Sequence, residues 1–293
     1  MTSSDSIALS ATLSGTPLAH RHQQIIQGKL IRAPKPLPWD AFDRATHSEA
    51  ALRLAVDLWS GLAVGEYAAV GLFAEIAAGL TFTGAALDFI HAAAQVSTDE
   101  ARHAEYCVRM ASTCSGTEAP IRVPSEGLHA RLSPLVDIEE VDFAMVHYVA
   151  ISETLATALL TECKRRARDR LSRALFTALL SDEIHHARLG WYYVASRSPS
   201  WTLGERQALA DRVAEHLVGI EEEFWMGRDA PAGSAASARA LGLLDSKTQR
   251  AVIRDAMENE VVPALDAVGF SASRVWSLRR RGSRRGRTRA PRR

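Results

Sequence analysis

Strand-like alternation of valine and isoleucine is scarce in this 293-residue chain, which argues against sheet architectures and leaves an all-helical fold as the expectation. Cysteine is scarce too. Cys107, Cys114 and Cys163 make an odd set with no CxxC spacing, so neither a disulfide framework nor a thiolate metal site is expected, and reduced thiols in a cytoplasmic setting are. The opening residues, MTSSDSIALSATLSG, lack a basic start and a long apolar run, so no secretory signal is expected. A long uncharged span is also missing. LWSGLAVGEYAAVGLFAEIAAGL, residues 58 to 80, carries Glu66 and Glu75, and each acid at mid-bilayer would cost about 2.5 to 3.5 kcal/mol. A buried core helix is expected there, with no membrane as partner.

What is present begins with 47% hydrophobic residues, enough to bury a sizeable core. The formal net charge of +1 conceals an asymmetry: ten of the 35 basic residues fall in the last twenty positions, leaving 25 basic against 34 acidic, or −9, for the rest. Such a tail suits nucleic acid or an acidic membrane surface by charge alone. No aromatic platform or binding motif accompanies the arginines, so a solvated, disordered tail over 274–293 is expected and nucleic acid is not.

Pattern and punctuation divide the chain. Residues 1–46 read as an irregular extension with one short helix around His22 to Leu30, and helical periodicity then covers 47–80 and 85–112 across a TFTG turn. After a Gly/Pro/Ser-rich loop, further helices are expected over 138–167, opened by Asp137, Glu139 and Glu140 and closed by KRRAR, and over 169–197, before Pro199. The short connections make each pair an antiparallel hairpin, and the longer link around 113–137 can cross between them. Residues 198–273 read as helices at 203–226 and 246–267 that pack on this 47–197 bundle, separated by a flexible APAGSAAS at 230–237.

Two of these helices carry the same short pattern, DEARHA at 99–104 and DEIHHA at 182–187. Glu and His at i and i+3 share a helix face, so Glu100 with His103, and Glu183 with His186, can reach one metal region. The other two helices each set a glutamate on an apolar stripe: Glu66 among Trp59, Leu62, Val70 and Phe73, and Glu153 among Val146, Val149, Thr157 and Leu160. A buried carboxylate is costly unless it is paired, protonated or bound to a cation. Hairpin arithmetic brings the acids together: Glu66 and Glu100 each lie about 16 residues, or roughly 24 Å, from the TFTG turn, and Glu153 and Glu183 flank Arg168 equally. Glu75 and Glu162 fall more than two turns away, and His147 and His185 lie off the metal face. Four carboxylates and two imidazoles without thiolate suit iron or manganese, and four glutamates balance two divalent ions.

On those residues the chain resembles the ferritin-like di-iron carboxylate superfamily, whose order is Glu, Glu-x-x-His, Glu, Glu-x-x-His on four helices. The resemblance covers 47–197 and implies a ferritin-like four-helix bundle with added N- and C-terminal helices. It implies terminal carboxylates at Glu66 and Glu153, bridging ones at Glu100 and Glu183, and nitrogen ligands at His103 and His186. Asp99 and Asp182 would hydrogen-bond the ligand histidine of the opposite motif. Two Fe ions, with Mn or a mixed Mn/Fe pair as alternatives, would activate O2 to oxidise or oxygenate a small organic substrate, with electrons from an external donor. The alternative implied activity is ferroxidase or iron handling without an organic substrate. Length places the chain with the larger oxygenases, such as p-aminobenzoate N-oxygenase, but Leu179 stands where that enzyme has a further histidine. Trp59, Phe73, Tyr106, Cys107, Ile151 and Trp191 are candidates to line a substrate cavity by helical register, and a homodimer is compatible with the reading.

Overall fold

The computed structural model describes residues 17–26, 36–119, 121, 135–223 and 229–285. Helices α1 (Pro17–Ile26), α2 (Glu49–Phe82) and α3 (Leu87–Ser115) come first. Then follow α4 (Ile138–Arg166), α5 (Arg170–Arg197) and α6 (Leu203–Glu223). Four shorter helices complete the chain: α7 (Ala235–Ala240), α8 (Ser246–Ala256), α9 (Val262–Ala267) and α10 (Ala272–Arg285). The described residues contain no strand, so the chain is all-α.

Local chemistry sets the helix ends. Ser48, Asp137, Asp169 and Asp245 each accept a backbone N–H of the first turn of α2, α4, α5 and α8, and such a cap contributes about 1 kcal/mol. Gly116 ends α3 at φ +78°, a left-handed conformation that a side chain disfavours. The α2–α3 and α4–α5 hairpins pack side by side through α3–α5 and α2–α4 contacts. Trp59 of α2 stacks on Phe176 of α5 with centroids 5.0 Å apart, and Phe89 of α3 meets Tyr193 of α5 edge-on. Helices α6 and α8–α10 cover the outer side of α4 through Val213, Leu217, Ile253, Leu265 and Trp276.

Asp142 is the polar anchor of that junction. It accepts from Tyr193 Oη at 2.7 Å, Trp201 Nε1 at 2.8 Å and Arg197 Nε at 3.2 Å, which satisfies a carboxylate that would otherwise be costly to bury.

Several expectations need correction. The N-terminal helix runs Pro17–Ile26 rather than around His22 to Leu30, and residues 27–30 lie outside the described set. The stretch expected to be a flexible linker turns at Gly233 (φ +88°) and enters α7, whose carbonyl at Ala240 caps the α4–α5 junction. The arginine-rich tail expected to be disordered is helical to Arg285, because Ala272 and Trp276 bury into the core beneath it; residues 286–293 are outside the described set. α4 is not a uniform α-helix: Met145–Ser152 is wound as a π-helix immediately before Glu153. A second π segment, Met257–Val261, joins α8 to α9 just ahead of Pro263, which cannot donate to an α-helical ladder.

Among the described helices, α2 and α4 are long and apolar enough to cross a membrane by length and composition. Within the fold, 67% of the apolar window of α4 is buried but only 17% of that of α2. α4 is therefore a core helix, whereas α2 gives one face to the bundle and an apolar one, with Tyr67 54% exposed, to the outside.

Candidate metal centre

Each of the four long helices brings one glutamate to the same level. α2 contributes Glu66, α3 Glu100, α4 Glu153 and α5 Glu183, with His103 and His186 one turn after the second and fourth. Ser97 Oγ on α3 donates to the Val70 carbonyl of α2 at 2.8 Å, one turn from the glutamates on both helices, and so pins the register of that hairpin. The α4–α5 pair is set by Gly190, whose missing side chain lets α5 lie directly on the backbone at Val149 and Ala150.

The donor atoms fall into two overlapping groups. Glu66, Glu100, His103 and Glu183 offer atoms within 4.8 Å of one another, and so do Glu100, Glu153, Glu183 and His186. Glu100 and Glu183 belong to both. This buried Glu/His cluster can hold metal, because donors bound near 2.1 Å from a shared divalent ion lie about 3 to 4 Å apart. His103 Nδ1 stands 3.1 Å from Glu183 Oε1 and 3.4 Å from Glu100 Oε2. His186 Nδ1 stands 3.1 Å from both Glu100 Oε1 and Glu183 Oε2.

Two buried atoms of the centre are left without a partner. His103 Nδ1 and Glu100 Oε2 are buried and meet no hydrogen-bond geometry with any neighbour despite that proximity. Close approach without alignment suits atoms that converge on a common ion better than atoms bonded to each other. The far nitrogens are fixed: His103 Nε2 meets Asp182 Oδ2 at 3.2 Å, and His186 Nε2 meets Asp99 Oδ2 at 3.4 Å. An ionised aspartate only accepts, so each Nε2 carries a proton, and in the neutral imidazole that binds metal the Nδ1 lone pair would face the glutamates.

Electrostatics divide the carboxylates. Burial, with the nearby Glu100 charge, pushes Glu66 well above the usual range; burial and Glu183 do the same to Glu153. Burial would raise Glu100 and Glu183 as well, but the two histidines beside them outweigh it, leaving Glu100 below and Glu183 well below the ordinary value. Burial would lower both histidines. Asp182 and the glutamates around His103, and Glu183 and Asp99 around His186, reverse that and raise both well above 6.5. Without ions the cluster therefore favours protons on Glu66, Glu153, His103 and His186.

Sequence reasoning missed Arg102. Its Nη2 donates to Asp99 Oδ1 at 2.7 Å and to Asp182 Oδ2 at 2.9 Å, tying together the two aspartates that orient the histidines. Burial would raise Asp99, but His186 and Arg102 hold it at about 2. The available signal was its place in DEARHA, three residues after Asp99. Arg102→Ala is expected to weaken metal binding about 10- to 100-fold, read by competition against a chelator; affinity equal to that of the unaltered chain would deny the arginine this role.

The remaining sequence candidates sort by surroundings. Trp59, Phe73, Cys107 and Ile151 are fully buried core residues, and Tyr106 packs beside the Trp59 cluster. Trp191 donates its Nε1–H to Thr154 Oγ1 at 2.9 Å. His185 faces Arg21 and Arg188, and burial together with those cations lowers it to about 4. His147 stacks on Phe143 and approaches His216, away from the centre. Glu162 is held by Arg165 and Arg166 at 2.6 Å each, and Leu179 is buried core. Compared with protein-family models, curated proteins and solved structures, the chain matches none of them.

Proposed function

We propose that the chain is a ferritin-like non-haem di-iron protein that activates O2 to oxidise or oxygenate a small organic molecule. The observation that carries this reading is the pair of overlapping donor groups sharing Glu100 and Glu183. Two ions side by side would each have one terminal glutamate and one histidine, Glu66 with His103 and Glu153 with His186, and both shared acids. The donor set is oxygen and imidazole alone; Cys107, one turn past His103, is held as a thiol by burial and by the charges of Glu66, Glu100 and Glu183. Such donors suit iron or manganese.

Two ferrous ions held there would supply electrons for O2 reduction. The chain's own part is positional and protective. Asp99 and Asp182 fix the imidazole tautomers, and Arg102 holds the aspartates. Phe73, Cys107 and Ile151, all fully buried, exclude bulk water around the centre. Low local dielectric strengthens every charge interaction inside it.

The test is anaerobic titration of the metal-free chain with Fe(II), followed by exposure to O2. About two irons per chain are expected, with O2 consumed and oxidation of an added organic substrate once a reductant is supplied. Ferric accumulation with no substrate oxidised would favour iron handling instead, and no iron uptake would remove the reading. Loading is also expected to release up to four protons, one each from Glu66, Glu153, His103 and His186, so affinity should rise with pH. Proton release measured in weak buffer checks this; affinity independent of pH would contradict it.

A further inference from the structure

The outward face of α2 is left open by the rest of the chain. Only 17% of the helix's apolar window is buried, and Tyr67 and Phe82 stand 54% and 70% exposed on it. Alongside, α3 exposes Leu87 and Val108. A contiguous apolar face of this kind marks an interaction site. From Arg53 to Phe82, α2 runs about 44 Å, and a helix of its width together with the flanking stripe of α3 offers roughly 700 Å². A standard interface takes about 800 Å² from each partner.

Charge on that face is arranged symmetrically. Between Arg53 and Phe82, α2 carries four charged residues: Arg53, Asp57, Glu66 and Glu75. Glu66 turns to the metal centre. The other three share the outward face with Val64 and Gly71, because Arg53, Asp57, Val64, Gly71 and Glu75 follow one another at spacings of 4, 7, 7 and 4 residues. Arg53 lies eleven residues before Val64 and Glu75 eleven after; Asp57 lies seven before and Gly71 seven after. Among the described residues, Arg53, Asp57 and Glu75 have no ion-pair partner. On the neighbouring stripe of α3 the exposed charges are Glu105 and Arg109, and Arg109 lies over the Trp39 ring.

A second copy laid antiparallel on this face, with a twofold axis at Val64, sets Arg53 against the partner's Glu75 twice over and Asp57 against an uncharged glycine. A parallel copy would set each charge against itself, which is unfavourable. A bilayer suits the face less well, because three charges would enter its apolar core.

We propose that the protein forms a twofold dimer through the outward face of α2, antiparallel about Val64, closed at both ends by reciprocal Arg53–Glu75 ion pairs. The inference does not depend on which metal the centre holds.

The test is sedimentation equilibrium of the full chain, with and without iron, where twice the 31.9 kDa chain mass is expected. Val64→Arg brings like charges together at the axis and should weaken association about 100-fold or more, with helical circular dichroism unchanged. Arg53→Glu and Glu75→Arg should each weaken association, and the two exchanges combined should restore it. A short bismaleimide reads the axis directly: Val64→Cys should link two chains, whereas Arg53→Cys, whose two copies would stand about 33 Å apart, should not. The native cysteines are buried and do not compete. A monomer at every attainable concentration, a dimer indifferent to Val64→Arg, or no restoration by the combined exchange overturns the proposal. Flotation of a monomeric chain with uncharged phospholipid vesicles, abolished by Val64→Arg, would also overturn it and assign the face to lipid.

Discussion

Alanine at Glu183 is expected to empty both metal positions at once, whereas alanine at Glu66 or Glu153 should empty only one. Glu183 contributes to both donor groups, as does Glu100, while Glu66 and Glu153 each serve a single group. Iron per chain after loading and desalting is therefore expected near zero for Glu183→Ala and about half of the normal content for Glu66→Ala. Equal loss in both variants would dissolve the distinction between shared and terminal acids.

The stability of the metal-free chain should move the other way for the terminal acids. Glu66 and Glu153 have folded values raised above their ordinary ones, so each destabilises the fold progressively as pH rises from the unfolded value through the folded one. Replacing Glu153 by Gln removes that cost. The metal-free variant is expected to gain about 1 to 2 kcal/mol, with the gain growing towards alkaline pH, in urea unfolding. The histidines act in the same window: their raised values stabilise the fold below about 6.5 and lose effect as pH climbs. A Glu153→Gln chain less stable than the parent at pH 8 would refute this account.

The second large effect is expected at Gly190. In an exposed helix interior, Gly→Ala normally stabilises by up to about 1 kcal/mol, and that is the expected outcome at Gly61 and Gly65, where an added Cβ meets nothing within 4 Å. At Gly190 the same atom would overlap the Ala150 backbone and approach the Val149 carbonyl carbon to 2.6 Å. Backbone cannot swing aside as a flexible side chain can. Gly190→Ala should cost about 1 to 3 kcal/mol net and should also lower iron affinity, because the π segment it pushes leads straight into Glu153. Urea unfolding with and without iron measures both. A variant as stable as Gly65→Ala would show that the two helices do not pack as described.

The contrast between these glycines marks how far the sequence could be read. The repeated Asp-Glu-x-x-His pattern was legible because side chains three apart share a face, and Glu66 and Glu153 because charge on an apolar stripe needs a reason. Equal distances from two turns then placed all four acids at one height. The π segment was hidden, since AMVHYVAI, apolar but for His147 and Tyr148, has no polar face to mark its register. Arg102 was hidden because an arginine on a helix usually faces water, and only the fold brings Asp182 within its reach. α10 was misjudged by composition: arginines at its end outnumbered the one buried tryptophan that anchors it.

The protonation pattern of the ion-free cluster has a consequence for the order of assembly. With Glu66 and Glu153 neutral, the charges of Glu100 and Glu183 cancel those of His103 and His186, and two divalent ions replacing four protons leave the sum unchanged. A charge-neutral interior does not need its ions in order to close. On the proposed reading, the chain is expected to reach the same fold before metal binds, with cations then exchanging for protons.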